Sequence, residues 1–302
     1  MKRLLITGAT GFIGAHCLRE ALASGFDEVH AVTRNGEGPA APNLVWHAAD
    51  LRDAAVAVQL VEAVKPTHLF HGAWIATPGV YLTSPENIDW MQATIAMVRA
   101  FADKGGQRFV GVGTSAEYAE TNAPCEEDKT ALAPVSVYGR AKVATWHAIA
   151  AIAEAHKIEA AWGRLFLPYG PGDLPQRLIP ATVAKLRAGE KMLLSRGEQK
   201  RDFVYAPDAA KMLVGLLNSD ATGAYNIGSG EPRSVRSVVE AVAERLNARD
   251  LPQFGAVAAR AWEPPLLVAD MRKLEALGFL VRTPMEKALD DVVAVSSGEV
   301  RA

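Results

Sequence analysis

The run Arg3-Leu4-Leu5-Ile6-Thr7 leads directly into Gly8-Ala9-Thr10-Gly11-Phe12-Ile13-Gly14, and apolar residues then recur at helical spacing through Ala15, Leu18, Ala21 and Leu22. A short apolar run bounded by glycine reads as a strand buried on both faces, and the 3.6-residue recurrence after it reads as a helix. Strand, glycine turn and helix in immediate succession mark the opening of a parallel βαβ unit. Glycines at such a turn let the backbone approach a pyrophosphate, which then sits at the positive end of the helix. The spacing here is G-x-x-G-x-x-G. A tight strand-to-helix turn without a ligand is the alternative reading.

The alternation continues. Residues 29–33 read as a second strand, and Arg34 follows 20 residues after Gly14. An acidic residue at this distance suits the ribose diol of NAD, whereas a cation suits the 2′-phosphate of NADP. Arg34 therefore points to NADP(H) over NAD(H), unless it is only a surface arginine of the Gly/Pro-rich stretch at 35–42. After a strand at 44–47, Asp50 and Leu51 are placed to meet an adenine edge. Asp50 is equally suited to cap a helix, and the two roles are compatible. Residues 67–73 form the next strand and end in small residues, including Ala73, that let a cofactor lie close. Trp74 then falls at the carboxyl end of the sheet, where open α/β folds bind ligands. A helix over 85–104 leads to a strand at 108–112 and to the hydroxyls of Thr114 and Ser115.

Tyr138 and Lys142 stand four residues apart at the head of a run, 141–155, that reads as helix, so both side chains share a face. A phenol has an ordinary pKa of about 10, and a neighbouring cation stabilises the phenolate, bringing proton transfer within reach at neutral pH. The bland alternative is a packed tyrosine and a solvated lysine. Thr114, 24 residues earlier, supplies a hydroxyl of the kind a polarised carbonyl needs. Beyond a strand at 160–166, Pro168-Tyr169-Gly170-Pro171 turns the chain out of the sheet. A helix at 178–188, a strand entered from 197, a helix at 208–217, a strand at 224–228 and a Ser234-capped helix to 246 follow. This pattern predicts an α/β fold: a Rossmann-type doubly wound parallel sheet in 1–166, with returning segments near 201–228, and a smaller, interleaved substrate-binding domain in 167–302.

Other classes are excluded more simply. A net charge of −2 creates no field that would recruit nucleic acid or an anionic membrane. The two cysteines, Cys17 and Cys125, have no metal-ligand spacing. No apolar run reaches 18 residues, and the start lacks a secretory h-region, so a cytoplasmic protein with no membrane contact is expected.

Gly8, Gly11 and Gly14, Thr114, Tyr138-x-x-x-Lys142, Arg164-x-x-x-x-Tyr169-Gly170-Pro171 and Arg201-Asp202-Phe203-Val204 together resemble the extended short-chain dehydrogenase/reductase family. Its members are nucleotide-sugar epimerases, 4,6-dehydratases and 4-ketoreductases. The resemblance runs from Met1 to about Ala288. It implies that Tyr138 moves the proton of a sugar hydroxyl, and that Lys142 lowers its pKa and holds the nicotinamide ribose. It also implies that Thr114, assisted by Ser115, bonds the reacting oxygen, while Phe12 and Ile13 join the glycines in lining the pyrophosphate turn. Arg201 and Arg260 look like the arginines set against a sugar-nucleotide diphosphate, a task suited to a bidentate fork. Arg260 alone reads equally well as a surface residue.

Three departures matter. Dehydratases follow the threonine with an acidic pair, whereas Ser115 and Ala116 stand there and Glu117 comes one position later. Leu167 and Trp90 occupy places where the family usually has asparagine. An NADPH-dependent 4-ketoreductase of a nucleotide-linked keto-deoxysugar is thus the leading expectation. An epimerase that recycles a bound NAD is the alternative, and a non-catalytic NAD(P) sensor a third. The family also implies a homodimer, formed through helices near 90–104 and 143–155. The second of these carries an alanine face (Ala141, Ala144, Ala148, Ala151, Ala155) open to close packing.

Overall fold

The computed structural model describes residues 1–259 and 263–296. Seven strands form one sheet in which every pairing is parallel: β1 (Arg3–Thr7), β2 (Glu28–Thr33), β3 (Leu44–Ala48), β4 (His68–His71), β5 (Arg108–Thr114), β6 (Glu159–Leu165) and a late strand, β10 (Gly223–Ile227). Their order across the sheet is β10-β6-β5-β4-β1-β2-β3. The order reverses between β1 and β4, and a crevice opens at such a switch point outside the carboxyl ends of the strands.

Helices cover both faces. On one, α1 (Phe12–Leu22) packs beside α6 (Ala206–Leu217); on the other, α2 (Ala54–Val64), α3 (Glu86–Asp103) and α4 (Val137–His156) pack in sequence. A sheet covered on both sides needs apolar strands throughout. Leu4, Leu5 and Ile6 are accordingly fully buried, as are Leu69 and Phe70.

Between β6 and β10 the chain builds a smaller assembly. It contains β7 (Leu167–Tyr169), α5 (Leu178–Arg187), β8 (Met192–Leu194) and β9 (Lys200–Tyr205). After β10 come β11 (Pro232–Ser234), α7 (Val235–Arg245), β12 (Pro252–Phe254), β13 (Leu266–Leu267), α8 (Arg272–Glu275) and α9 (Met285–Ser296). β9 pairs with β7, β11 and β13, and β8 pairs with β12. The return to the large sheet is therefore made by α6 and β10, while β9 stays with the smaller sheet. That assembly has its own core, in which Tyr169, Val183, Phe203, Val242 and Leu289 meet. Asp202 ties the parts together, accepting hydrogen bonds from the Ser229 amide and hydroxyl, the Gly230 amide and the Ala269 amide.

Local chemistry sets the helix starts. Ser136 accepts from the Gly139 amide at 3.0 Å, so α4 begins at Val137 and carries both Tyr138 and Lys142 in its first two turns. Ser234 caps α7 in the same way. The cap of α2 is Asp53, which accepts from the Ala55 and Val56 amides, and not Asp50. Asp50 instead binds the Arg52 guanidinium. Among the described residues no helix is long and apolar enough to cross a membrane.

Two positions of the β1–α1 turn leave no room for a Cβ. Gly8 has φ +72°, and a Cβ there would lie 2.7 Å from the Ala73 amide nitrogen; a Cβ on Gly14 would lie 1.9 Å from the Gly8 carbonyl oxygen. Gly14→Ala is expected to spread this turn and abolish dinucleotide binding while leaving the circular dichroism of the remaining fold intact. Wild-type affinity in a fluorescence titration would refute this account of the turn.

Candidate functional site

The switch-point crevice holds a cavity of about 350 Å³. Gly8 from the first turn, Arg34 after β2, Asp50 and Leu51 after β3, and Ala73 and Trp74 after β4 all line it. The sequence suggests these six separately; the fold brings them together. Thr10, Arg52, Glu86 and Trp90 also line the cavity, and reading along the chain does not assign them this role. For Arg52 a signal exists: a second cation two residues beyond Asp50. Asp50 is held by Arg52, whose Nη2 comes 2.6 Å from its Oδ2. That contact keeps the carboxyl below the usual carboxylate range. Gly11 caps α1, with its amide donating to the Gly8 carbonyl at 2.9 Å, and Phe12 and Ile13 form the first turn behind it.

A second group of side chains lies beyond the cavity. Thr114 ends β5, where its hydroxyl accepts from the Ala116 amide at 3.2 Å. Burial around the Tyr138 phenol pushes it above its ordinary pKa, and the nearby Thr114 hydroxyl is the largest opposing influence. Lys142 is 3 % exposed. Its Nζ donates to the Val112 carbonyl at 2.8 Å and lies 3.8 Å from the Trp74 ring centre, 5.5 Å from Trp162 and 5.9 Å from Tyr138. Desolvation pushes this ammonium down to about 7, with the Glu117 carboxylate acting against the shift. The i, i+4 spacing thus places phenol and ammonium on one face as expected. Burial, however, raises the phenol and lowers the ammonium, so each is pushed toward its neutral form.

Residues 4–228 match the model of the NAD dependent epimerase/dehydratase family. The chain belongs to that family. It is thereby an extended short-chain dehydrogenase/reductase, an enzyme of the NAD-dependent nucleotide-sugar epimerase/dehydratase group. It is 26% identical over 274 residues to the dTDP-glucose 4,6-dehydratase of Xanthomonas campestris pv. campestris, covering 82% of this chain and 77% of that one. The UDP-glucose 4-epimerase of Thermus thermophilus, solved with NAD, superposes with a TM-score of 0.87 at 25% identity, covering 99% of this chain and 100% of that one. MoeE5, solved with UDP-glucuronic acid and NAD, gives 0.85 at 28% identity, with 99% and 100% covered. The residues fit the dinucleotide such neighbours bind, because the Gly8–Gly14 turn presents bare backbone at a helix N-terminus beside the cavity.

Within this family member, Glu117 has no solvent exposure. It accepts from the Thr114 amide at 2.9 Å, the Trp162 indole at 2.9 Å and the Arg164 Nε at 2.8 Å. Arg164 also donates to the Tyr118 hydroxyl and the Glu127 carbonyl, and Tyr118 donates to Asn226. Glu117 therefore fixes the backbone that presents Thr114. Ser115, also buried, follows in a short 3₁₀ turn.

The structure does not bring Arg201 to the first cavity. It is buried on β9, where Nη1 donates to the Lys200 carbonyl. Nη2 comes 3.0 Å from Glu263 without hydrogen-bond alignment. Glu263, Gln199 and Pro265 line a separate cavity of about 650 Å³. Arg260 lies outside the described residues.

Because the folded pKa of Lys142 is about 7 and an unfolded lysine titrates at about 10.4, unfolding takes up a proton between these values. Its contribution to the stability of the cofactor-free protein therefore rises with pH across that window. In protein carrying ¹³Cε-lysine, one ε-methylene resonance should titrate near pH 7 and vanish in Lys142→Met. A Lys142 midpoint shared with the exposed lysines would contradict this.

Proposed function

We propose that this enzyme is an NADP(H)-dependent 4-ketoreductase acting on a nucleotide-linked keto-deoxysugar. The observation that carries the reading is the pair of guanidiniums, Arg34 and Arg52, on the adenosine side of the cavity, with Asp50 already engaged by Arg52. A 2′-phosphate suits such a rim, whereas a ribose diol is read by a free carboxylate. The fate of Glu117 argues against dehydration. Ser115 and Ala116 offer no carboxylate, and Glu117 is buried against Arg164.

In this reading the dinucleotide, when bound, supplies hydride to the carbonyl carbon. Tyr138 begins as a neutral phenol, which burial favours, and gives its proton to the oxygen as negative charge develops there. The Thr114 hydroxyl bonds that same oxygen, positioned by its backbone bond to Glu117. Lys142, held by the Val112 carbonyl, stabilises the phenolate left behind. A buried residue that starts protonated suits the reductive direction. Arg201, together with Arg260, is assigned to the diphosphate of the substrate. The large sheet and its helices carry the cofactor, and the smaller assembly carries the sugar nucleotide.

The second reading is an epimerase with retained NAD, favoured by the likeness to neighbours solved with that cofactor. Denaturing freshly purified protein and identifying the released nucleotide separates the two. Near-stoichiometric NAD supports the epimerase, and an empty site that then prefers NADPH supports the reductase. Tyr138→Phe should lower kcat by at least about 10²-fold with dinucleotide affinity retained. Arg34→Ala should reduce the NADPH-over-NADH preference about tenfold or more; an unchanged ratio would return Arg34 to a surface role.

We further assign the homodimer to α3 and α4. Ile88, Gln92 and Arg99 are exposed on α3, and Ala144, Ala151 and Ala155 on α4, whereas Ala141 faces the core. Ala151→Arg is expected to shift the protein to a monomer in light scattering. A dimer of undiminished stability would place the interface elsewhere.

A further inference from the structure

The cavity that begins at Gly8 and Arg34 ends against Trp74 and Trp90, and Thr114, Tyr138 and Lys142 are not on its wall. One side chain belongs to both regions. Trp74 lines the cavity and also carries the Lys142 ammonium 3.8 Å from its ring centre.

The indole is held in place by specific contacts. Its Nε1 donates to Asn87 Oδ1 at 2.8 Å, and the fully buried Asn87 donates in turn to the carbonyls of Tyr81 and Ser84. Its ring stacks on Trp90, with centroids 6.3 Å apart and planes 27° apart. The backbone that carries it, residues 72–77, is neither helix nor strand. Gly72 and Ala73 stay tied to β1, their amides donating to the Thr7 carbonyl and Oγ1, while Trp74 itself lies beyond the last ladder residue of β4 and can turn more readily.

A dinucleotide laid from the Gly8 turn to Tyr138 must cross the switch-point crevice where this ring rests on Lys142. We infer that Trp74 is a gate over the nicotinamide half of the cofactor site. The indole covers Lys142, and the adenosine side of the crevice lies open beside it. Entry of the nicotinamide half requires the ring to leave both Lys142 and Asn87. A cation–π contact to a desolvated ammonium and a buried indole hydrogen bond favour the closed arrangement. Opening is therefore a separate step that follows docking of the adenosine half, and Trp74 sets how fast the cofactor exchanges. This inference rests on the proposed reading of the cleft as a site for an exchangeable dinucleotide.

Stopped-flow mixing of the full chain with NADPH, and in parallel with NADH, tests it through energy transfer from tryptophan to nicotinamide. The observed rate should rise and then level off with dinucleotide concentration. ADP, which lacks the nicotinamide half, should quench tryptophan fluorescence at a rate that stays linear. Trp74→Ala should raise the dinucleotide plateau at least about tenfold, while the ADP rate stays linear in concentration. Trp74→Phe keeps a ring but loses the bond to Asn87, and its plateau should fall between the two. A rate linear in dinucleotide for the wild type overturns the gate, as does a plateau that neither variant moves. An unmoved plateau with much weaker NADPH binding would make Trp74 a contact wall for the cofactor instead. A stronger response to NADH than to NADPH would sink the proposed cofactor preference and leave the plateau argument standing. Failure of the wild type to bind either dinucleotide would sink both.

Discussion

An ammonium held where almost no water reaches it is the constraint around which the site is arranged. Desolvation disfavours the charged form of a lysine, and the protein answers with several groups at once. The Val112 carbonyl accepts one Nζ proton, three aromatic rings lie within about 6 Å of the nitrogen, and Glu117 acts from behind. These groups come from the segment after β4, from β5, α4 and β6, and from the turn after β5, so the lysine cannot be placed correctly unless the sheet has assembled in order.

Glu117 links that electrostatic need to the framework. Its carboxylate pairs with Arg164, which is 2 % exposed, and a buried pair is worth its desolvation only when its remaining hydrogen bonds are satisfied. Here they run through Trp162, Tyr118 and Asn226 to the backbone at Cys125 and Asp270. The network spans β5, β6 and β10 and reaches the segment before α8. The same carboxylate that steadies Thr114 thereby docks the C-terminal part of the chain onto the large sheet. An acid so engaged has both oxygens committed to the framework.

Much of this is legible from residues. The β1 run, the glycine turn and the Ser136-capped helix each combine a strong period with a strong punctuation mark, and their register follows. The i, i+4 spacing of Tyr138 and Lys142 needs no tertiary information. Elsewhere the sequence is silent for physical reasons. The two-residue strand β13 is too short for any period to develop, and it exists because β9 offers it an edge. Asp50 and Asp53 are both good caps; only the path of the chain after β3 decides between them. The part played by Arg164 cannot be read locally, because its carboxylate partner lies 47 residues away.

Trp74 and Trp90 illustrate how a departure from a family pattern acquires a physical sense. Each looks isolated along the chain, an aromatic residue at the end of a strand and another where asparagine is usual. In the fold they stack, and Asn87, one helical turn before Trp90, receives the Trp74 indole proton. Two large rings at the switch point remove space from the crevice where a dinucleotide would pass between its adenosine and nicotinamide halves. That pair turns a continuous groove into an open half and a covered half. Arg34 and Arg52 mark the open side, Tyr138 and Lys142 the covered one. On the proposed reading, cofactor recognition and proton chemistry are thus divided between two compartments that share a single aromatic wall.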